Sequence, residues 1–337
     1  MTTLVTGAAG FLGGHVAELL LAQGEPTAVL LRPGEDLGPL TGTAVETRSG
    51  DIADPAAIAA ALDGVKVVIN CAARTGPWGP AAEYERSNVA GLRTLVSAAM
   101  AAGVRRIVHV SSITVHGNDV RGRADEDSPL CGAPNPYSRT KVAGERALLS
   151  MIREQGAPVT MVRPGWIYGP RSVDSFARLA QAIERQRMIT IGAGDNVVPL
   201  VYVTDVARGL LAAARDDRAE GRTYLLVSDE RVTQRDYLCA IADQLGAPRP
   251  RLRIPYHLAL TLGRAGEWAG HAVHLRQPPP LTRYGVQLIG GENRFDISRA
   301  RAELGFSPQV TMREGVRLTA AWYRSSDVSS APVGARA

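Results

Sequence analysis

The chain has few cysteines, almost no lysine and no long apolar segment. Its three cysteines, Cys71, Cys131 and Cys239, lie far apart, which favours a reduced environment over a disulfide framework. No apolar run reaches the roughly 18 residues that a membrane span needs, and the uncharged N-terminus does not resemble a secretory signal. We therefore expect a cytoplasmic protein without a membrane span.

Lysine occurs only twice, as Lys66 and Lys141, among 38 basic residues. The arginines are dispersed and no window interleaves them densely with aromatic residues, so the net charge of +5 does not indicate nucleic-acid binding. A hydrophobic fraction of 45% with 21% charged residues is typical of globular proteins and excludes a largely disordered chain. In a chain that nearly always uses arginine, the two lysine positions can mark sites where an ammonium group is needed.

The first half of the chain alternates short β-branched runs with alanine-rich helical patterns, which predicts crossover units and a parallel sheet. The predicted strands are 3–6, 27–31, 66–70, 106–111 and 159–163, and the predicted helices are 11–23, 55–62, 84–102 and 137–154. Because the strands are near-continuous apolar runs, both sheet faces should be covered. The sequence therefore predicts an α/β fold with a Rossmann-type, doubly wound parallel sheet.

Beyond residue 164 the pattern loosens. The predicted helices there are 174–187, 204–215, 233–245, 255–270, 297–304 and 312–324, and the predicted strands are 198–202 and 223–227. We predict a Rossmann domain over 1–164 that carries the dinucleotide and catalytic sites. A smaller C-terminal, mainly substrate-binding α/β region should cover 165–324, with some segments returning to the Rossmann core. A disordered tail is expected over 325–337.

A glycine-rich turn joins the first predicted strand to the first predicted helix. Gly7 permits the tight turn, Gly10 lets the backbone approach a pyrophosphate, and Gly13 lets helix and strand pack closely. The helix N-terminus then offers free N–H groups to the phosphates. This context predicts a dinucleotide site. The residues expected to contact the dinucleotide here are Gly7, Ala9, Gly10, Phe11, Leu12 and Gly13.

The end of the second strand distinguishes the two nicotinamide cofactors. An acidic residue about 20 positions after the glycines would hold the ribose hydroxyls of NAD(H), but the chain has Arg32 there. Arg32 would pair with a 2′-phosphate, so we predict NADP(H). Glu35 and Asp36 lie nearby, so NAD(H) stays an alternative, and Arg32 can also be an ordinary solvated arginine. Further on, Asp51 suits the adenine amino group and Ile52 the adenine ring face.

Three residues suggest proton transfer. Tyr137 and Lys141 are four apart on a predicted helix and so share a face. A nearby ammonium favours the phenolate, and its flexible stem can reach ribose hydroxyls that a rigid guanidinium would reach poorly. Ser112 lies at the carboxyl end of a predicted parallel strand, where ligands bind in such sheets. Lys66 has no such explanation and is interpreted as an ordinary surface residue.

Four motifs occur in order: TGxxGxxG, SSxxVxG, YxxxK and RPGWIYGP. Together they resemble the extended short-chain dehydrogenase/reductase family over nearly the whole chain, to about residue 324. The resemblance implies that Ser112 polarises a carbonyl, Tyr137 is the acid/base, and Lys141 binds ribose and lowers the pKa of the tyrosine. It adds Asn88 as a residue that braces the site or a water relay, with a merely structural role as the alternative. On the cofactor side it adds Cys71, Ala72, Ala73, Pro164 and Ile167.

Departures from the family pattern narrow the reaction. Ile113 and Thr114 replace the Asp-Glu pair of dehydratases, and Trp166 replaces an asparagine common in sugar-nucleotide enzymes. A Gly-Pro-Trp-Gly loop around Trp78 resembles 3β-hydroxysteroid-dehydrogenase-like and 2-alkyl-3-oxoalkanoate-reductase-like proteins. The residues expected to line the substrate are Trp78, Ser112, Thr114, His116 and Trp166, although His116 and Trp166 can equally be packing residues. His271 and His274 lack a third ligand, so no metal site is predicted.

The resemblance therefore implies an NADP(H)-dependent oxidoreductase acting on a small hydrophobic hydroxy or oxo substrate. The alternatives are a nucleotide-sugar 4-epimerase with tightly bound NAD, and a catalytically silent NADP-binding module. A homodimer formed through the helices near 84–102 and 137–154 is expected from the family.

Overall fold

A parallel sheet of seven strands forms the centre of the protein in a computed structural model, which describes residues 1–120 and 122–326. The strands are β1 (Thr2–Thr6), β2 (Thr27–Leu31), β3 (Glu46–Ser49), β4 (Val65–Asn70), β5 (Arg106–Val110), β6 (Val159–Pro164) and β7 (Thr223–Leu226). Their order is β7-β6-β5-β4-β1-β2-β3, with every neighbouring pair parallel. This is the doubly wound Rossmann arrangement, which confirms the predicted fold class.

The helices cover both faces of this sheet and build a second layer beyond it. They are α1 (Phe11–Ala22), α2 (Pro55–Ala61), α3 (Ala81–Glu85), α4 (Leu92–Ala101), α5 (Pro136–Gln155), α6 (Arg178–Glu184), α7 (Val203–Arg215), α8 (Gln234–Leu245), α9 (Tyr256–Ala272), α10 (Arg283–Gly290), α11 (Ser298–Leu304) and α12 (Met312–Ser325). No described helix combines the length and the apolar character needed to cross a membrane.

Successive residues of the central strands point into two different cores. Val5 and Ile69 pack with α1 and α7 on one face, whereas Leu4 and Val68 pack with α2, α4 and α5 on the other. All four side chains are fully or almost fully buried. Burial on both faces explains why these strands appear in the sequence as continuous apolar runs rather than as an alternating pattern.

The C-terminal region has a core of its own, rich in aromatic residues. Helices α6, α8, α9, α10 and α12 surround Phe176, Tyr237 and Tyr323. Two short parallel strand pairs, 166–168 with 200–202 and 189–191 with 252–254, lie within this region. A third, 123–124 with 294–295, connects the region to the N-terminal part of the chain. Strand β7 and helix α7 return to the Rossmann sheet and its core.

Local geometry departs from the predicted elements in a few places. The helix predicted over 84–102 is divided into α3, a π-helical turn at Arg86–Gly91 and α4. Helix α10 was not predicted, because three prolines precede it. Thr282 caps its N-terminus, with its side chain accepting a hydrogen bond from the backbone N–H of Gly285. Helix α12 extends to Ser325, one residue into the predicted tail, and residues 327–337 of that tail lie outside the described part of the chain.

Candidate active site

The glycine-rich turn after β1 is shaped by close backbone contacts. Gly7 has a φ of +67°, and a Cβ added there would lie 2.8 Å from the backbone nitrogen of Ala72. A Cβ on Gly13 would lie 2.3 Å from the Gly7 carbonyl oxygen, so only glycine fits. Gly10 is exposed at the start of α1, whose first turn contains no carboxylate. The structure therefore places the turn, the open N-terminus of α1 and the segment after β4 side by side.

Three predicted cofactor residues lie further along the carboxyl edge of the sheet. Arg32 is exposed and forms an ion pair with Glu35 through its Nε at 2.8 Å. The two residues line a cavity of about 490 Å³ with Arg48. Asp51 accepts hydrogen bonds from the backbone of Ala53 and, at 2.7 Å, from Arg86. Ile52 is buried in the core beside α2 and α4.

Ser112, Tyr137 and Lys141 come together where β5 ends and α5 begins. Ser112 caps a short 3₁₀ turn after β5, with its Oγ accepting from the backbone N–H of Thr114 at 3.2 Å. Asn135 caps α5 through the backbone N–H of Ser138, so that Tyr137 stands in the first helical turn. The Lys141 Nζ lies 5.9 Å from the centre of the Tyr137 ring and donates to the Val110 carbonyl oxygen at 2.8 Å.

Burial shifts the pKa values of Tyr137 and Lys141 towards their neutral forms, and neighbouring groups act against these shifts. Burial raises the pKa of Tyr137, and a side-chain hydrogen bond with Ser112 acts against that rise. Burial lowers the pKa of Lys141 to about 8, although the nearby Glu145 carboxylate favours its charged form. A substrate oxygen placed beside Ser112 and Tyr137 would therefore meet two hydroxyl groups with an ammonium close behind them.

Asn88 connects the catalytic helix to the loop after β4. Its side chain accepts from the Arg74 backbone N–H at 2.8 Å, and donates to the Arg74 carbonyl oxygen and to the Thr140 hydroxyl, both at 3.0 Å. A Cβ on Gly144 would lie 2.8 Å from the Asn88 carbonyl oxygen, so the π-helical turn packs directly on α5. This geometry favours bracing as the role of Asn88.

Behind the catalytic groups lies a buried ion pair that the sequence analysis did not identify. Glu145 is fully buried and accepts from Arg163 Nε at 2.9 Å and Nη2 at 2.6 Å, and from the Ser111 hydroxyl. The signal was present in the sequence, since Glu145 follows Lys141 by four residues and so lies on the same helical face. Arg163 opens the RPGWIYGP motif.

A second missed network crosses the carboxyl ends of three strands. Thr6 donates to the Asn70 amide oxygen at 2.6 Å, and the Asn70 amide donates to Nδ1 of His109 at 3.0 Å. Burial, aided by the Lys141 charge, holds the pKa of His109 well below its ordinary value. A neutral histidine and two polar groups thus lie beneath the site without adding charge to it.

His116 and Thr114, both in the 113–116 turn, differ in their hydrogen-bond partners. His116 was expected to line the substrate, but Pro129 O lies 3.3 Å from its Nδ1 and Arg163 Nη1 lies 3.0 Å from its Nε2. Both ring nitrogens therefore hold protein partners, and the packing interpretation is the one the geometry favours. The Thr114 hydroxyl, in contrast, is buried and has no hydrogen-bond partner within residues 1–120 and 122–326.

The two tryptophans expected at the substrate lie in different surroundings. Trp166 donates to the Ser175 hydroxyl at 2.6 Å and packs edge-on against Tyr237 in the C-terminal core. The Trp166 ring therefore has structural partners, and its contact with a substrate stays a prediction. Trp78 donates to the Leu275 carbonyl oxygen at 2.9 Å and stacks on His271 with ring centres 4.1 Å apart. Trp78 thus joins its loop to the end of α9.

Two further tyrosines lie near Tyr137, and neither was predicted. Tyr84 is fully buried, with its hydroxyl 2.8 Å from the carbonyl oxygens of Gly76 and Trp78. Burial raises the pKa of Tyr284, in the first turn of α10, and the charges of Tyr137 and Tyr84 raise it further. The C-terminal region therefore contributes a tyrosine that is electrostatically coupled to Tyr137.

The remaining candidates concern thiols, metals and cofactor-side residues. Burial raises the pKa of Cys71 to about 12, so its thiol stays protonated at neutral pH. The part of the chain that the structure describes contains no group of three side chains able to hold a metal ion. Pro164 ends β6 and Ile167 lies in the following short strand, at the same edge of the sheet as the catalytic groups.

Comparison with known proteins gives a consistent assignment. The model of the NAD dependent epimerase/dehydratase family matches residues 3–226. Sterol demethylase protein B of Methylococcus capsulatus is 36% identical, with 96% of this chain and 98% of the relative covered. The 2-alkyl-3-oxoalkanoate reductase of Stenotrophomonas maltophilia is 29% identical, with 94% and 98% covered. The crystal structure of gox2253 is 28% identical and superimposes with a TM-score of 0.81, covering 96% and 98%.

The relatives and the fold agree with the site described above. They support an oxidoreductase that acts on CH–OH and C=O groups, and the family supports a nicotinamide cofactor. The chain belongs to the NAD dependent epimerase/dehydratase family of extended short-chain dehydrogenases/reductases.

Proposed function

We propose that the protein is an NADP(H)-dependent oxidoreductase that interconverts a ketone and a secondary alcohol on a hydrophobic substrate of steroid-like, polyketide-like or acyl-chain type. The observation that carries this proposal is the placement of the buried Tyr137 phenol, whose pKa the Ser112 hydroxyl acts to lower, with the Lys141 ammonium 5.9 Å from the centre of the tyrosine ring. The relatives named for a sterol and for a 2-alkyl-3-oxoalkanoate support the hydrophobic character of the substrate.

The residues present fit a dinucleotide. The turn at Gly7, Gly10 and Gly13 packs so closely that a Cβ at Gly7 or Gly13 would clash with backbone atoms, and the N-terminus of α1 offers N–H groups without a side-chain cap to a pyrophosphate. Arg32, beside a cavity that Arg48 also lines, suits a 2′-phosphate. When bound, the cofactor supplies or accepts the hydride. NAD(H) stays the alternative, since Glu35 already pairs with Arg32.

The chain's own residues would manage the substrate oxygen and its proton. In the reductive direction Ser112 and Tyr137 donate hydrogen bonds to the carbonyl oxygen and so hold it in place. As charge develops on that oxygen, Tyr137 gives up its phenolic proton to form the alcohol. The Lys141 ammonium stabilises the phenolate left behind, because opposite charges close together favour the charged form. Oxidation of the alcohol follows the same steps in reverse.

Two groups are proposed to contact the substrate beyond its reacting oxygen. The buried Thr114 hydroxyl lacks a partner within the described residues, and a buried unpaired hydroxyl is costly unless a ligand satisfies it. The half-buried ring of Tyr284, whose pKa the charge of Tyr137 influences, would offer apolar surface. Together these groups suit a substrate that is mostly apolar and carries few polar atoms.

Two other functions compete with this one. A nucleotide-sugar 4-epimerase would use the same serine, tyrosine and lysine, and structures of UDP-glucuronic acid 4-epimerase share the fold at 22% identity. Trp166 in place of the usual asparagine counts against it. A silent binding module would not need all three catalytic groups together. The homodimer through α4 and α5 is likewise part of our proposal.

Purified protein can separate these functions. We expect NADPH to be oxidised in the presence of hydrophobic ketones, with Tyr137→Phe as the inactive control. Redox-neutral interconversion of a UDP-sugar, without added cofactor, would support the epimerase instead. Tight NADPH binding without turnover of any ketone or secondary alcohol in a panel of steroids, 3-oxoacyl esters and aryl ketones would support the silent module.

A further inference from the structure

An unusual surface lies on α9 and the residues that follow it. Five of the large hydrophobic side chains exposed in the described part of the chain occur in this one stretch. They are Leu258 (49% exposed), Leu262 (48%), Trp268 (76%), Val273 (68%) and Leu275 (47%). We call these five residues the α9 patch. Exposed apolar side chains usually occur singly, so a group of this kind indicates an interaction surface.

Helical geometry places three residues of the patch on the exposed part of α9. At 100° per residue, the buried Ala259, Gly263 and Gly270 share one side of the helix. Trp268 lies on the opposite side and Leu258 and Leu262 lie on one flank, and the positions that share this arc, 261, 265, 269 and 272, are exposed threonine and alanines. The other flank carries the exposed His257 and Arg264, so α9 presents an apolar strip beside a basic edge, an arrangement typical of helices that lie at an apolar–water interface.

The charges around the patch are mainly basic. Residues 247–281 contain five arginines, of which Arg249 is paired with Asp243, and a single carboxylate, Glu267. Glu267 is held by Arg283, through Nε at 2.6 Å and the backbone N–H at 2.7 Å, so it adds little negative charge to the outer face. Arg264 and Arg276 are exposed, as are His257, His271 and His274. The patch is thus an apolar strip with a basic border.

We propose that the α9 patch binds the surface of an anionic lipid bilayer, with α9 lying in the plane of the interface. Apolar side chains including tryptophan, bordered by cationic ones, are the composition that such interfacial helices share. A second copy of the chain is a poorer occupant, because a two-fold interface would bring Arg264 and the neighbouring basic groups against their own equivalents. The absence of a spanning helix among the described residues is compatible with this mode, which needs no span.

The α9 patch adjoins the segments that border the candidate active site. The end of α9 and the residues after it hold Trp78 through His271 and Leu275, and the Trp78 carbonyl oxygen accepts a hydrogen bond from the Tyr84 hydroxyl of α3. The chain then continues from α9 into α10, which brings Tyr284 towards Tyr137. A hydrophobic substrate dissolved in a bilayer would therefore lie next to the two segments that border the catalytic tyrosine.

Vesicle sedimentation tests the proposal with the full-length protein. We expect the protein to sediment with vesicles of phosphatidylcholine containing 30% phosphatidylglycerol, and roughly tenfold less with pure phosphatidylcholine. The double variant Leu258→Ser, Leu262→Ser should reduce binding to the anionic vesicles by roughly tenfold. The matched control Val173→Ser, Ile189→Ser changes two exposed apolar residues elsewhere and should bind like the unaltered protein. Turnover of a short, water-dissolved ketone should be the same in all of these proteins.

A spectroscopic signature identifies the residue that enters the interface. Trp268 emission should shift to shorter wavelength on anionic vesicles, and Trp268→Phe should lose that shift. No sedimentation with either vesicle, equal binding to neutral and anionic vesicles, or normal binding by the double variant would each overturn the proposal. So would light scattering that shows a dimer which the double variant converts to a monomer, because a second copy would then cover the patch.

Discussion

The two regions of the molecule differ in the side chains that fill their interiors. Beneath the carboxyl ends of the central strands, buried polar side chains are paired with one another, as Glu145 is with Arg163 and Asn70 with His109. In the C-terminal core, aromatic rings pack against one another, and the buried Tyr237 hydroxyl has no partner among the described residues. The same region exposes the α9 patch.

This difference separates two tasks. Paired polar groups in a low-dielectric interior hold their side chains in fixed positions, which proton transfer requires. Apolar and aromatic surfaces recognise a substrate by shape and burial, with less demand on the position of any one atom. We therefore expect substitutions in the N-terminal region to change the chemical step, and substitutions in the C-terminal region to change which substrates bind.

The largest expected effect tests the chemical task. Tyr137→Phe removes the acid/base hydroxyl and should lower kcat by about 10³-fold, while NADPH affinity in a fluorescence titration stays nearly unchanged. Tyr323→Phe, a tyrosine whose hydroxyl bonds Glu184 on the far side of the C-terminal region, is the matched control and should keep its kcat. Normal turnover by Tyr137→Phe would show that the Tyr137 hydroxyl is not needed for the chemical step.

The next effect concerns the stability cost of the buried ammonium. Burial lowers the pKa of Lys141 to about 8 from an ordinary 10.5, so the unfolded chain binds more protons and unaltered protein gains stability as pH rises between these values. Lys141→Met lacks this gain. Its stability relative to the unaltered protein should therefore fall by about 3 kcal/mol from pH 8 to pH 10.5, measured by urea unfolding.

The chain provides a matched control for that experiment. Lys66, the other lysine, is exposed at the start of β4. The stability difference produced by Lys66→Met should stay level over the same pH range, because its charge remains solvated in both states. A level profile for Lys141→Met as well would mean that the ammonium is not held in a desolvated position.

A smaller effect tests cofactor selection. Arg32→Asp should shift the ratio of kcat/KM for NADPH over NADH towards NADH by roughly 30-fold, because a charged hydrogen bond to phosphate contributes about 2 kcal/mol. The exposed exchange Arg178→Asp on α6 should leave the ratio unchanged. An unchanged ratio in Arg32→Asp would mean that Arg32 forms its ion pair with Glu35 and does not bind the 2′-phosphate.

The smallest effect belongs to the C-terminal region and sharpens the comparison. Tyr284→Leu should lower kcat/KM for a large hydrophobic ketone by roughly fivefold, since part of an aromatic contact is lost. The KM for NADPH should not change. Tyr284→Phe keeps the ring, so it should behave like the unaltered enzyme if Tyr284 acts by contact. A loss of kcat in Tyr284→Phe would instead show that the C-terminal region takes part in the chemical step.

Much of the fold could be predicted from the sequence because its signals are local. The strand 27–31 and the start of α1 at Phe11 agree with the observed bounds to the residue. The strand follows from a short apolar run and the start of α1 from the glycine turn before it, and both signals lie within a few residues. Helix α10 was missed, since its N-terminal capping residue Thr282 follows three prolines and the helix has only eight residues.

The candidate site was predictable to the extent that its residues belong to motifs. Ser112, Tyr137 and Lys141 were identified from spacing and resemblance, and the structure brings them together. Tyr284 could not be found in this way, because it is 147 positions from Tyr137 in the sequence and reaches it only through the packing of α10 on α9. The contacts of His116 with Arg163 were equally invisible, since they join β6 to a turn 47 residues away.

By itself the sequence determined the succession of most strands and helices along the chain, the glycine turn, and the position of Lys141 one helical turn from Tyr137 in an arginine-rich chain. Those features depend on periodicity and spacing within a few residues, which the chain displays directly. Only the tertiary structure decided which polar groups pair behind the site, which tyrosines surround Tyr137, and that α9 keeps an apolar face exposed. These features arise from contacts between residues far apart in the chain, and a sequence pattern carries no record of such distances.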